Sequence, residues 1–318
     1  MPRGGTASLV LPVAPSYCMV TNALLSLTGL RRSLTRPLRR RRNLALLLVL
    51  GPPLVWVIGL YLLPLLFLFL YSFWQVIGFN VEAHWTLANY RQIFAEAVWL
   101  QILLRTVVMA TLVTVTAITL ALPLAYFLVR YTSRWRNLLY LAVLVPLWSS
   151  YLVRVFAWKT ILGSDGVLNT FLLDAHLIHQ PVEAFLYSNY AVFITLLHVW
   201  LPYMVLPVYA AIDRIPPSLF EASSDLGARG WQTMRSVVWP LAFPGIMAGS
   251  IFVFSLTMGD FITPQLMGNG SQFVGNVIAD QFGVAFNYPF GAALSTLPLV
   301  VLAVFLTVSR RFGALEAL

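Results

Sequence analysis

The sequence predicts an all-α integral membrane protein with six transmembrane helices and both termini on the cytoplasmic side. Three observations lead there. Of 318 residues, 59% are hydrophobic and 10% charged, against about 25% charged in a soluble protein. The apolar residues gather in six runs, each near the ~20 residues that a helix needs to cross a bilayer. Sixteen of the twenty lysines and arginines fall in the tails or in alternate gaps between those runs, the bias that marks cytoplasmic loops.

In chain order, residues 1–43 read as a basic cytoplasmic tail carrying Arg3, Arg31, Arg32, Arg36 and Arg39 to Arg42. Residues 1–30 have scattered Pro, Gly and Ser without a helical period and are expected to be poorly ordered, with Met19 as an alternative start. Cys18 is the single cysteine, which rules out an intrachain disulfide and a cysteine-rich metal site. An arginine cluster ahead of an apolar run is also the layout of a secretory signal. The run Leu44 to Tyr71 is too long for a signal core, however, and reads as an uncleaved spanning helix. The net charge of +9 is accounted for by topology, so no nucleic-acid partner is expected.

The crossings are placed at 44–71, 101–129, 138–158, 189–211, 241–264 and 286–308, within a transmembrane domain of residues 44–311 and before a short tail at 312–318. With the first tail inside, the second crossing returns to Arg130, Arg134 and Arg136, the fourth to Arg214, Arg229 and Arg235, and the sixth to Arg310 and Arg311. Arg91, Arg105, Arg154 and Lys159 fall on or near the other side. Prolines recur inside the crossings and invite kinks. Gly245 and Gly249 form a small-xxx-small pair that lets an unidentified helix approach the fifth crossing closely.

Between the fourth and fifth crossings, residues 212–240 form a polar island. Pro216 and Pro217 suit a helix start, and Ser218 with Glu221 has the spacing of a capping box. Gly227 can end that helix with positive φ, and a second short helix is predicted from about Trp231 to Pro240. The run Glu221-Ala-Ser-Ser-Asp-Leu-Gly227, nine residues, then Val237-Val-Trp-Pro240 resembles the coupling loop of permease subunits of bacterial ABC importers: Glu-Ala-Ala, three residues, Gly, nine residues, Ile, any residue, Leu-Pro. Ser223, Val237 and Trp239 depart from that pattern. The resemblance implies that Glu221, Ala222, Ser223, Asp225, Gly227 and Pro240 belong to a two-helix loop inserted into a groove of an ATP-hydrolysing subunit. Read without it, Glu221 only completes a cap and Gly227 only ends a helix.

The stretches Leu87-Ala-Asn-Tyr-Arg91, Trp148-Ser-Ser-Tyr-Leu-Val-Arg154 with Trp158-Lys-Thr160, His198-Val-Trp-Leu-Pro202 and Gly259-Asp-Phe-Ile-Thr-Pro264 are similar to those of the spermidine/putrescine class, specifically its first permease subunit. That resemblance covers residues 44 to 311. It implies a type I importer fold, uptake of polyamines, and a second permease as heterodimer partner. It further implies two ABC ATPase subunits that bind ATP and Mg, and a soluble binding protein that delivers the solute.

The chain itself carries no nucleotide site. A phosphate loop needs Gly-Lys before Ser or Thr, and the one lysine, Lys159, follows Trp158. No cofactor is therefore expected in this chain, and no catalytic residues. Asp260 is the one carboxylate placed within a crossing, where a charge costs about 3 kcal/mol on insertion scales. Two readings stand side by side: a pathway residue that offsets desolvation of a passing ammonium, or a structural ion pair in which Asp260 meets Arg154 or Arg105 or reaches the outer interface. Among Trp148, Tyr151, Phe156, Trp158, Trp200 and Tyr203 most fit an interfacial aromatic belt. Tyr151 and Trp158, which flank Arg154, are taken as pathway candidates with Arg154 and Asp260. Asp174, His176, His179 and Glu183 lack a metal-site spacing and read as a solvated loop. Alternatives are the same importer class for another small solute, or a stand-alone ion-coupled carrier, which would need more midplane carboxylates than Asp260. An intramembrane enzyme is a remote third, without a nucleophile and base at a recognisable spacing.

Overall fold

The computed structural model describes residues 46 and 48–311, apart from positions 79, 133, 183, 184, 186, 269 and 271. Cys18, Met19, the arginines of the first tail, Glu183 and the tail 312–318 lie outside the described residues. Among those described, five helices are long and apolar enough to cross a membrane, and a bent helix pair makes a sixth if it counts as one span.

Helix α1 (Leu48–Tyr71) is uniformly apolar and contains one widened π turn, Ile58–Leu62. A small hairpin follows, which the all-α expectation lacked: β1 (Gln75–Ile77) pairs antiparallel with β2 (Asn80–Glu82), Val76 opposite Val81. Helix α2 (Ala88–Ala95) is fastened behind it by Asn89, whose buried amide donates to the carbonyls of Ser72 and Trp74, each at 2.8 Å.

Helices α3 (Ala97–Arg130), α7 (Asn189–Asp213) and α9 (Gly230–Gly259) make the core. On α3 the buried residues Ala110, Val113, Ala117, Ala121, Ala125 and Leu128 recur at three- and four-residue intervals. They form one stripe on the helix, as the 3.6-residue period requires. Its small side chains let the neighbours come close. Ser188 caps α7, its hydroxyl accepting from the Ala191 N–H at 3.1 Å. The helix that meets Gly245 and Gly249 is α7: a Cβ at Gly245 would stand 2.5 Å from the Pro207 carbonyl oxygen, and one at Gly249 would stand 2.6 Å from Met204 Sδ.

Two crossings differ from expectation. The third is not one helix over 138–158: α4 (Arg136–Trp148) and the segment Tyr151–Asp174 meet at 97°. That segment comprises α5 (Tyr151–Leu162) and α6 (Val167–Asp174). Pro146 cannot donate to the preceding turn, and Ser149 ends the helix by bonding the Pro146 carbonyl through both its N–H (3.2 Å) and its hydroxyl (2.7 Å). Ser149 and Ser150 are extended (ψ 150 and 138), so Tyr151 opens a new helix in a new direction.

The fifth crossing is displaced toward the N-terminus. Predicted at 241–264, it runs from Gly230 to Gly259 without stopping at Pro240. A π turn over Met234–Val238, in which the Trp239 N–H reaches back to the Met234 carbonyl, precedes the proline. The wider turn lets a residue without an N–H stay within the helix. The separate short helix ending at Pro240 is thus the first part of α9. Asp260 follows α9 in an extended conformation (ψ 123), so it lies just beyond the helix and not four residues inside it. Helices α10 (Ile262–Met267), α11 (Val274–Gly283) and α12 (Tyr288–Arg311) complete the described residues.

Candidate functional site

Two places carry the chemistry expected of this chain. The first is the loop between α7 and α9. Helix α8 (Pro217–Asp225) starts on Pro216 and Pro217, with no side-chain cap at its N-terminus. The expected Ser218–Glu221 capping box is therefore absent: proline at the first helical position sets the start, which puts Ser218 inside the helix. The C-terminus is a Schellman motif centred on Gly227 at φ 75. There the Gly227 N–H donates to Ser224 O (2.9 Å) and the Ala228 N–H to Ser223 O (3.0 Å), the pairing that a left-handed residue makes possible. The chain then re-enters a helix at Gly230, with Gln232 Oε1 accepting from the Arg229 N–H at 2.6 Å.

Ser223, where the family pattern has alanine, is buried and its hydroxyl meets that of Thr233 at 2.8 Å, joining the two arms of the loop. Phe220 is 4% exposed and seats the loop on α3, with the Arg130 guanidinium 4.1 Å from its ring centre and Tyr126 beside it. At the end of α7, Asp213 makes an ion pair with Arg136, the first residue of α4. The Arg136 Nε also donates to Tyr209 Oη at 2.8 Å. The loop's root is thus tied to α4 and its first arm to α3. Glu221, Ala222, Asp225 and Pro240 are exposed, as are Leu226 (88%) and Trp231 (73%).

The second place is the end of α9. Asp260 is 8% exposed and its carboxylate is ringed by donors. Oδ1 accepts from the N–H groups of Ile262 (3.0 Å) and Thr263 (3.1 Å), and Oδ2 accepts from the Thr263 hydroxyl (2.9 Å). The Tyr151 hydroxyl lies 2.7 Å from Oδ1 and 2.6 Å from Oδ2. From one residue ahead of the N-cap, Phe261, Asp260 thereby holds the first two N–H groups of α10, as an aspartate does near a helix N-terminus. Of the two readings of Asp260, the ion pair with Arg154 or Arg105 does not form: among the described residues the ion pair is Arg136–Asp213.

The Tyr151 ring lies parallel to Trp200 of α7, with centres 5.5 Å apart and planes 12° apart. Tyr151, Trp200, Gly259 and Asp260 line an open cavity of about 270 Å³, together with Ser255, Leu256, Phe261 and Ile262. Of the four pathway candidates the structure therefore brings Tyr151 and Asp260 together. Arg154 and Trp158 do not line this cavity. Arg154 is buried one helical turn beyond Tyr151, donating to the Val199 carbonyl at 3.1 Å, while its Nε has no partner among the described residues. Trp158 stands edge-on to His198. Trp200, read as a belt residue, is the member that the sequence did not single out. In the α6–α7 connection, His176 Nδ1 bonds the Asp174 carbonyl at 2.9 Å, a local turn contact.

Residues 26–315 match the family of binding-protein-dependent transport system inner membrane components. The chain belongs to this family. It is an inner-membrane permease of the ABC-importer type. Over 291 residues it is 44% identical to the inner membrane ABC transporter permease protein YdcU of Escherichia coli, covering 87% of this chain and 92% of that one. The spermidine/putrescine transport system permease protein PotB is 36% identical in Escherichia coli (74% of this chain, 85% of PotB). The Haemophilus influenzae PotB is 34% identical (82% of this chain, 91% of PotB). The permease superposes with a TM-score of 0.70 on a bacterial ABC transporter involved in import of the acidic polysaccharide alginate, at 17% identity over 85% of this chain and 96% of that one. A crystal structure of the alginate transporter in complex with its oligosaccharide-loaded periplasmic protein gives 0.71, at 18% identity over 86% and 96% of the two chains.

Proposed function

We propose that this permease is one half of a heterodimeric membrane channel of an ATP-driven polyamine importer. The reading puts both termini and the 212–240 loop in the cytoplasm, where two ABC ATPase subunits bind ATP and Mg and hydrolyse the nucleotide. A soluble binding protein delivers spermidine or putrescine from the opposite side. The solute follows from kinship with the PotB proteins, which share 34% and 36% of aligned residues with this chain.

The observation that carries the coupling role is the division of the loop into a seated and a free surface. Phe220 and Ser223 are buried against the bundle and the second arm, whereas Leu226 and Trp231 stand out from it. An exposed leucine and tryptophan beside acidic Glu221 and Asp225 suit a protein groove, since exposed apolar groups that cluster mark interaction sites. Because α9 is continuous with the second arm, a push on the loop moves the fifth crossing and Asp260 at its far end. Asp213 and Arg136 carry the same push to α4. This is lever-like transmission through packed helices.

The deciding experiment is ATP hydrolysis by the complex that co-purifies with this chain, reconstituted with its binding protein, with and without spermidine or putrescine. Stimulation by either polyamine is expected. Hydrolysis without a polyamine response would retain the importer and discard the solute, and the absence of any associated ATPase would overturn both.

A further inference from the structure

We propose that Asp260, Tyr151 and Trp200 form a subsite for a single alkylammonium group, one end of the cationic solute. This inference rests on the importer reading above and adds to it the residues that hold the charge and the number of charges they hold.

Three features of the geometry converge. Asp260 is more than nine-tenths buried, and among the described residues no Lys, Arg or His pairs with it. Its hydrogen-bonding partners are neutral donors from Ile262, Thr263 and Tyr151. Such donors replace water around a carboxylate but supply no opposite charge, so the partner that the site lacks is a counter-ion, and an ammonium entering beside the carboxylate would provide it. The carboxylate also borders an open cavity of about 270 Å³, so a counter-ion has somewhere to sit. A third feature is the parallel Tyr151–Trp200 pair, which gives the cavity an aromatic wall. Ring faces attract ammonium groups within about 6 Å. Gly259 adds backbone without a side chain to the lining, and among the described residues nothing stands within 4 Å of where its Cβ would be.

The donors around Asp260 can also rearrange to admit an ammonium. The Tyr151 hydroxyl lies 2.7 Å from Thr263 Oγ1 as well as against both carboxylate oxygens. Its proton can turn to the threonine oxygen while the threonine hydroxyl keeps its own bond to Oδ2. That exchange frees acceptor capacity on the carboxylate for an N–H of the ligand, since an ionised carboxylate offers about four lone-pair sites. One carboxylate neutralises one ammonium. The remaining charges of a diamine or triamine must be met elsewhere along the pathway, on surfaces that the second permease contributes.

The competing reading is that Asp260 does nothing beyond capping α10. Asp260→Asn separates the two, because asparagine caps a helix as well as aspartate does yet carries no charge. The probe is methylammonium chloride, titrated into the co-purified complex in lipid nanodiscs. The signal is the difference in tryptophan fluorescence between the protein and its Trp200→Phe variant. A saturable difference signal is expected, weakened about thirtyfold or more by Asp260→Asn. No saturable response in the protein, or equal affinity in Asp260→Asn, overturns the subsite. If Asp260→Asn fails to assemble, Trp200→Leu leaves the carboxylate and its cap intact. Putrescine-stimulated ATP hydrolysis should then require about threefold or more putrescine, and an unchanged requirement overturns the proposal. The polyamine reading fails separately: an Asp260-dependent methylammonium signal without putrescine stimulation keeps the subsite and removes the solute. Equal putrescine stimulation of the protein and Asp260→Asn does the reverse.

Discussion

The Tyr151 hydroxyl bridges both oxygens of Asp260, at 2.7 and 2.6 Å, across 109 residues of sequence. The contact joins the first residue after the break in the third crossing to the first residue after the end of the fifth. Each partner is presented by an interruption of a helix. A hydrogen bond to a charged group contributes about 1.5–3 kcal/mol when buried. Tyr151→Phe is therefore expected to lower the stability of the purified permease by an amount in that range. In the Asp260→Asn background the same change should cost about 1 kcal/mol, the value of a neutral bond. Thermal unfolding of the four proteins of this cycle measures the difference, and equal losses in both backgrounds would mean that the bond's charge is irrelevant.

Gly227 should be intolerant of proline. Its φ of 75 lies in the left-handed region, whereas proline is fixed near −65°, and its N–H is bonded to Ser224 O. Gly227→Pro is expected to abolish solute uptake while leaving membrane insertion intact, because the loop loses its bend and the crossings do not. Gly227→Ala costs about 1–2 kcal/mol of left-handed strain and should retain partial uptake. Uptake assays beside a membrane-fraction immunoblot test both, and normal uptake by the proline variant would remove the lever.

Ser223 and Thr233 should behave as a pair. Losing the Thr233 hydroxyl leaves that of Ser223 buried without its partner, and losing that of Ser223 leaves Thr233 with a long 3.5 Å contact to the Arg229 carbonyl; either costs about 1–3 kcal/mol, while removing both is close to neutral. Ser223→Ala and Thr233→Val are thus each expected to destabilise more than the double variant does. Thermal midpoints of the three proteins decide it. Additive losses would show that the hydroxyls act independently.

The crossings were legible because composition alone defines them: α3, α7 and α12 begin and end within a few residues of the expected positions. The bend of the loop was legible too, since Gly227 is a residue that favours the left-handed region. The break after Trp148 was not. Pro123, Pro202 and Pro207 all sit inside unbroken helices, so Pro146 by itself announced nothing. What differs is that Ser149 turns back onto the Pro146 carbonyl. Trp200 was hidden for the same reason, because its stacking on Tyr151 exists once that break has re-aimed α5. The start of α8 was legible in Pro216 and Pro217, whereas the capping box suggested by the Ser218–Glu221 spacing does not form, because Pro217 takes the first helical position. Of the two readings of Asp260, the ion pair falls away because the carboxylate is met by a phenol, a threonine and two backbone N–H groups and not by Arg154 or Arg105.

The contact of α9 with α7 offers a last test, because its two glycines meet different neighbours. At Gly245 an added Cβ would fall 2.5 Å from the Pro207 carbonyl oxygen and 2.5 Å from the Ala211 Cβ. Neither atom can move unless helix α7 moves with it. At Gly249 the nearest atom is Met204 Sδ at 2.6 Å, on an unbranched side chain that can adopt another rotamer, with Pro207 Cγ at 3.1 Å and the Met204 Cα at 3.2 Å giving less room behind it. Overpacking costs about 1–3 kcal/mol where the surroundings are rigid, so Gly245→Ala is expected near the upper end and Gly249→Ala near the lower. Since α9 carries the second arm of the loop at one end and Asp260 at the other, Gly245→Ala should also reduce uptake more than Gly249→Ala. Parallel measurements of thermal midpoint and uptake in the two variants give the order. A larger loss at Gly249 would place the tight contact at Met204 and contradict this account of the interface.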